Sequence, residues 1–160
     1  MRTRINYTGT QKFWLVILRM AVGWHFLYEG LSKLTNPNWS SVAYLLDSEG
    51  FMKEFFINLA GNPGLLQVVD FLNVWGLIAI GAGLITGTLA RAAAVSGAVL
   101  LGFYYLSHPP MPALRYSVPM EGSYLVVSKI FIEMILMVIL FLFPTSREFG
   151  VDRLIFGRKR

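Results

Sequence analysis

Apolar residues in this chain gather into four long runs, at about 13–34, 65–86, 91–107 and 122–143, separated by more polar stretches. Each approaches the ~20 residues that a helix needs to cross a bilayer core. Periodicity within the runs is weak, as it is for helices whose two sides both face apolar surroundings. The pattern predicts an all-α integral membrane protein, a bundle of four transmembrane helices forming one domain over 1–160. The third run is the shortest and is expected to tilt least. No internal repeat and no low-complexity segment divides the chain.

The stretch at about 38–60 mixes Trp39, Tyr44, Leu45, Leu46, Phe51, Phe55, Phe56 and Leu59 with polar residues. That mixture predicts an amphipathic segment of one or two interfacial helices over the mouth of the bundle. The competing reading is a plain loop anchored by aromatic residues at the membrane surface. A second connection, around 108–121, contains Pro109, Pro110, Pro112 and Pro119, which interrupt any regular helix and predict a stiff lid. Runs two and three carry Gly76, Gly81, Gly83, Ala94 and Gly97 among other small residues, which let transmembrane backbones approach closely.

Composition agrees with the hydropathy pattern: 55% of residues are hydrophobic, 14% are charged, and the mean hydropathy is +0.56. A soluble domain carries nearer a quarter charged residues. Arg2, Arg4 and Lys12 precede the first run, Arg91 lies in the tight second connection, and Arg147, Arg153, Arg158, Lys159 and Arg160 follow the fourth. The two longer connections hold only Lys53 and Arg115, so the positive-inside rule puts both termini in the cytoplasm of a bacterial-type inner membrane. The net charge of +5 thereby reflects topology and attraction to lipid headgroups, and a nucleic-acid partner is not indicated. The basic start followed by an apolar run has the outline of a signal peptide. Arg19 interrupts its apolar core, however, and no small-x-small cleavage site follows, so it is expected to remain as the first helix. With no cysteine, disulfide and thiolate chemistry are excluded from this chain. His25 and His108 are the two imidazoles, too few to suggest haem or a metal held by the protein.

The first run is unusual in containing Arg19, His25, Glu29 and Lys33. Ionisable groups in a bilayer are costly and mark interior sites. His25, Glu29 and Lys33 are four apart and stack along one helical stripe. Lys129 and Glu133 repeat that spacing in the fourth run, and Asp70 and Asn73 lie near the outer end of the second. At ~1.5 Å per residue, Glu29 and Glu133 fall at similar depth, with Lys33 and Lys129 about a turn nearer the outside. Facing stripes would make an interleaved carboxylate and ammonium cluster. The alternative is internal neutralisation along each helix, but buried ion pairs contribute little net stability, which favours a functional site. Arg19 lies in the inner half and off the stripe; one reading makes it merely an anchor that snorkels to the cytoplasmic face, and the other gives it a role beyond anchoring.

Several chemistries could use such a site. A quinone needs aromatic walls and proton donors, which Trp24, Tyr28, Phe26, Phe103, Tyr104 and Tyr105 with His25 or Glu29 could supply. An inorganic anion needs basic groups at the mouth, for which Lys33, Lys129 and Arg115 are placed. A small-solute or proton transporter would need polar stepping stones through the inner half, and apart from Arg19 that half offers few.

The stretch Arg19-x-x-x-Gly23-Trp24-x-Phe26-x-x-x-Gly30-x-x-Lys33-Leu34, then Pro37-Asn38-Trp39, then Gly83-Leu84-x-Thr86-x-x-x-x-Arg91-x-Ala93, resembles the DoxX/DoxD family of small four-helix membrane proteins. Tyr104-Tyr105-Leu106-Ser107-His108-Pro109-Pro110 and Lys129-x-x-x-Glu133 are similar to its longer, DoxD-like members. The resemblance implies a membrane subunit of thiosulfate:quinone oxidoreductase, which oxidises thiosulfate to tetrathionate and passes electrons to membrane quinone. It also implies a second, DoxA-like subunit, and a homo-oligomer is compatible with it. On that basis Glu29, His25 and Glu133 are the expected proton-exchanging residues. Lys33, Lys129 and Arg115 would hold the anion, Asp70 and Glu133 would orient the lysines, and His108 would cap the site. Trp24, Tyr28, Tyr104 and Tyr105 would line the quinone. The broad family equally suggests a non-catalytic membrane anchor or assembly partner for soluble redox proteins, docking through Arg147–Arg160.

Overall fold

The computed structural model describes residues 7–117 and 125–155, and within them every regular element is helical. Helix α1 covers Gly9–Leu34, α2 Val42–Leu46, α3 Lys53–Gly61, α4 Pro63–Thr86, α5 Ala90–Ser107, α6 Lys129–Leu142 and α7 Asp152–Ile155, with a 3-10 turn at Thr145–Arg147. Among the described residues three helical stretches are long and apolar enough to cross a membrane: Pro63–Thr86, Ala90–Ser107 and Lys129–Arg147. The first expected span, 13–34, corresponds to α1, whose 26 residues are long enough but include the polar stripe.

Helix boundaries follow local chemistry. Helix α1 begins four residues before the expected span because Thr8 and Gln11 form a reciprocal capping box, which satisfies two backbone donors at once. Helix α4 starts at Pro63, where Asn62 accepts from the backbone of Gly64 and Leu65. It stops at Gly87, whose φ of +69° is the left-handed conformation that ends helices and suits glycine. The expected fourth span, 122–143, needs correction: α6 begins only at Lys129, where Ser128 accepts from Phe131 N. Residues 122–124 of that expectation lie outside the described residues. The stretch at 38–60 forms two short helices, with Leu45 and Phe56 buried and Leu46, Phe51 and Phe55 exposed. Residues 108–117 contain no helix.

Packing runs in the order α1, α4, α5, α6, with α1 lying along α4 and α6 along α5. The α1–α4 approach is set by facing small residues. An added Cβ on Gly81 would lie 2.4 Å from Leu27 N, and one on Gly23 would lie 3.1 Å from Gly81 O. Val22, Phe26, Leu77, Ile80, Leu84, Ala94, Leu101, Met137 and Leu140 make the core between the four long helices. Helices α1 and α6, at opposite ends of the order, touch only lightly.

The end of the bundle formed by the α4–α5 turn and the residues after α6 is tied together by polar groups. Arg19 is buried and donates to Thr145 Oγ1 at 3.1 Å and to the Phe149 carbonyl at 2.6 Å. The reading in which it snorkels is therefore corrected, because its guanidinium finds fixed acceptors inside the fold. Asp152 accepts from the backbone of Leu89 at 2.6 Å and Ala90 at 3.2 Å, capping α5.

Candidate functional site

At the opposite end, beside α2, the light contact between α1 and α6 leaves a cleft of about 510 Å³. Its size suits a small ligand. Helix α1 contributes His25, Phe26, Glu29 and Lys33, and α6 contributes Ile130 and Glu133. Asn73, Leu77, Leu101 and Tyr104 form its back wall, and Trp39, Ser40, Ser41, Ala43 and Tyr44 cover it. The i, i+4 spacing along α1 is what brings His25, Glu29 and Lys33 to one opening.

Two linked sets of polar contacts run through the cleft. On one side Lys33 Nζ lies 3.3 Å from Glu29 Oε1 and donates to Asn73 Oδ1 at 2.9 Å. The Asn73 amide then donates to the Tyr104 hydroxyl at 2.6 Å. Because an ammonium only donates, the Asn73 oxygen must face Lys33 and its nitrogen must face Tyr104. The Lys33 side chain is 15% exposed and sits 5.0 Å from the Trp39 ring centre and 5.6 Å from that of Tyr104. On the other side His25 Nε2 lies 3.7 Å from Glu133 Oε1, joining α1 to α6. His25 is 65% exposed and Glu133 20% exposed, so this pair marks the open side.

Of the twelve residues given site roles from the sequence, five share one cleft, His25, Glu29, Lys33, Tyr104 and Glu133, and Phe26, an aromatic-wall candidate, lines it too. The other seven lie elsewhere. Asp70 accepts from Ser40 Oγ at 2.8 Å, Ser41 N at 2.8 Å and Ser41 Oγ at 2.5 Å, so it fastens the start of α2 to α4. Lys129 and Arg115 are exposed and do not line the cleft. Trp24 and Tyr28 lie side by side on an exposed flank of α1, with their rings tilted at 34° and ring centres 6.2 Å apart. Tyr105 donates to the Val126 carbonyl at 2.8 Å and packs on Phe131. Asn73, Trp39 and Tyr44 belong to the cleft and were missed as site residues. Asn73 had a signal, a lone amide within an apolar run, whereas Trp39 and Tyr44 had none beyond their aromatic character.

His108 is buried away from the cleft, between the rings of Tyr44 at 3.9 Å and Tyr116 at 4.7 Å. Its Nδ1 is 3.0 Å from Ser107 Oγ, its Nε2 is 3.7 Å from Asp47 Oδ2, and the hydroxyls of Ser107 and Ser48 are in contact. Burial pushes the His108 imidazole below its ordinary pKa, with Asp47 opposing. Burial likewise raises the Tyr44 phenol, and raises that of Tyr116 to about 12. Tyr116 donates to the Pro109 carbonyl at 2.7 Å, and Ser117 N donates to Asp47 at 2.9 Å. These contacts clamp residues 108–117 onto α2.

No curated protein and no solved structure matches the chain significantly. The DoxX family model matches residues 14–109, which include most of α1, the two short helices, α4, α5 and the α1 and α4 residues of the cleft. This chain belongs to the DoxX family.

Proposed function

We propose that the chain is a DoxD-type membrane subunit of a thiosulfate:quinone oxidoreductase, with α1 as a fourth span and the α1–α6 cleft as the place where quinone is reduced. The observation that carries the proposal is a fixed cation, Lys33, beside Glu29 and within the same cleft as Glu133 and His25. Two thiosulfates yield one tetrathionate and two electrons, and a quinone takes those electrons with two protons to become a quinol. Quinone, when bound, supplies the electron acceptor.

The chain's residues supply position and protons. An ammonium has three donors, of which Asn73 and Glu29 take two, leaving one for a substrate oxygen. Such a charge-assisted contact is stronger than a neutral one. Glu133 with His25 and Glu29 with Lys33 make two proton-exchanging pairs, matching the two protons the reaction consumes. Tyr104, held by Asn73, closes the back of the cleft. Lys129 and Arg115 would meet the anion outside the cleft rather than within it. A DoxA-like partner would complete the electron path, and both termini would face the cytoplasm of the inner membrane.

The test is the full reaction with purified protein in nanodiscs: thiosulfate-dependent reduction of decylubiquinone, with tetrathionate measured in parallel. One tetrathionate per quinol supports the proposal. No thiosulfate-dependent reduction, with a DoxA-like subunit added, overturns it in favour of a non-catalytic anchor.

A further inference from the structure

On the far side of the Tyr104 and Asn73 wall lies a second cavity, of about 550 Å³, between α4 and α5 and beneath α2 and α3. Its long walls are apolar, with Leu72, Val95, Val99 and Phe103 on the two spanning helices and Phe55 and Leu59 on α3. Most of its polar residues gather at one end, where Ser41, Tyr44, Asn73, Tyr104 and Ser107 line it, and Ser96 is the polar residue further along α5. Ser41, Tyr44, Asn73 and Tyr104 line both cavities, so one partition serves the two.

The chemistry of that end is specific. Asn73 spends its oxygen on Lys33 and donates its amide to the Tyr104 oxygen. The Tyr104 hydroxyl therefore accepts from Asn73 and still has its own proton to give. Ser41 is engaged by Asp70, and Ser107 by Ser48 and His108. A ligand head reaching this wall thus meets a hydrogen-bond donor, and among the described residues no ionised side chain lines the cavity.

We propose that the α4–α5 cavity binds a single-chain amphiphile whose uncharged head accepts a hydrogen bond from Tyr104 and whose tail runs between α4 and α5. Two sources share that chemistry, a monoacyl lipid and a quinone carried on an apolar tail. Occupancy on this side would press on the same wall that holds Lys33 in the cleft. The proposal stands independently of catalysis in the cleft.

Gly76 lines the cavity, and a Cβ added there meets nothing within 4 Å. Gly76→Leu therefore fills the cavity without displacing the core, and Gly102→Leu, on α5 with equally open space but outside both cavities, is the control. The probe is a monoacylglycerol with a diazirine in its chain, photolysed with the full chain in nanodiscs and mapped by peptide. Labelling is expected to concentrate on 69–80 and 95–107, to fall at least fivefold in Gly76→Leu, and to persist in Gly102→Leu. Tyr104→Phe, which keeps the ring and removes the donor, is expected to weaken labelling severalfold. Displacement by excess monoolein alone assigns a lipid, and displacement by decylubiquinone assigns a quinone. Labelling spread evenly over the lipid-facing helices, or unchanged in Gly76→Leu, overturns the proposal. Thiosulfate-dependent turnover is not the readout, so failure here leaves the cleft reading untouched, and failure of turnover leaves this one standing.

Discussion

Replacing Gly81 by alanine tests how the cleft is held in shape. The new Cβ would lie 2.4 Å from Leu27 N, 2.7 Å from Gly23 O and 2.7 Å from Leu27 Cα, against the 3.4 Å at which ordinary contact begins. These are backbone atoms, so no side chain can swing aside and α1 must move off α4 by about 1 Å. Overpacking of this kind costs ~1–3 kcal/mol, and the backbone clash puts Gly81→Ala near ~3 kcal/mol. At roughly 2–4 °C per kcal/mol for a chain of this size, the melting temperature should drop by ~6–12 °C. The same displacement stretches the Lys33–Asn73 bond from 2.9 Å to about 4 Å, beyond hydrogen-bonding range, so ligand binding in the cleft should weaken as well. Gly76→Ala, on the same helix with open space at its Cβ, is the matched control and should change melting by less than ~2 °C. Circular dichroism melts of both variants in one detergent suffice. A Gly81→Ala protein melting within ~2 °C of the wild type would refute the glycine-set α1–α4 approach.

Three other outcomes follow from the geometry. Asp152→Ala removes the acceptor for Leu89 N and Ala90 N and should cost ~1–2 kcal/mol, the usual worth of a helix cap, read as a lower melting temperature. Asn73→Leu leaves Lys33 and Tyr104 without their shared partner, at ~1–3 kcal/mol, and thiosulfate-dependent turnover should fall further than thermal stability does. His108 has a folded pKa below its ordinary 6.5, so the unfolded chain binds the extra proton first. Its contribution is complete above pH 6.5 and is lost as pH falls below that value, so a melting curve from pH 7.5 to 5 should decline, and His108→Asn should flatten the decline.

Much of the fold could be read from hydropathy, because the second and third runs end at chemistry visible in the sequence. Gly87 closes α4 and the proline-rich stretch after Ser107 closes α5, and the expected 65–86 and 91–107 lie within a residue or two of Pro63–Thr86 and Ala90–Ser107. The fourth run misled at its start, since Val126 and Val127 look helical by hydropathy but precede the Ser128 cap. That shift bears on the site: Lys129 becomes the first residue of α6 and is exposed, leaving Lys33 as the lysine in the cleft. The α1 stripe was legible because i, i+4 spacing fixes a shared face whatever the surroundings. Which partners it would meet was not, because these depend on the helix order, which places α6 across from α1 and Asn73 behind Lys33. Asp70 looked like a site carboxylate by depth alone. Its three contacts with Ser40 and Ser41 make it a fastening for α2, a role that sequence spacing of about thirty residues does not reveal.

Glu133→Gln gives the most direct test of the proposed function. The substitution keeps side-chain volume and one acceptor oxygen while removing the carboxylate that faces His25 across the opening. Thiosulfate-dependent decylubiquinone reduction and thermal melting should be measured on the same nanodisc preparations of variant and wild type. The account predicts at least a hundredfold loss of turnover, in line with the usual worth of general acid–base catalysis (~10²–10⁴), with melting essentially unchanged. Wild-type turnover in Glu133→Gln would contradict it and make the His25–Glu133 pair a helix-to-helix tie.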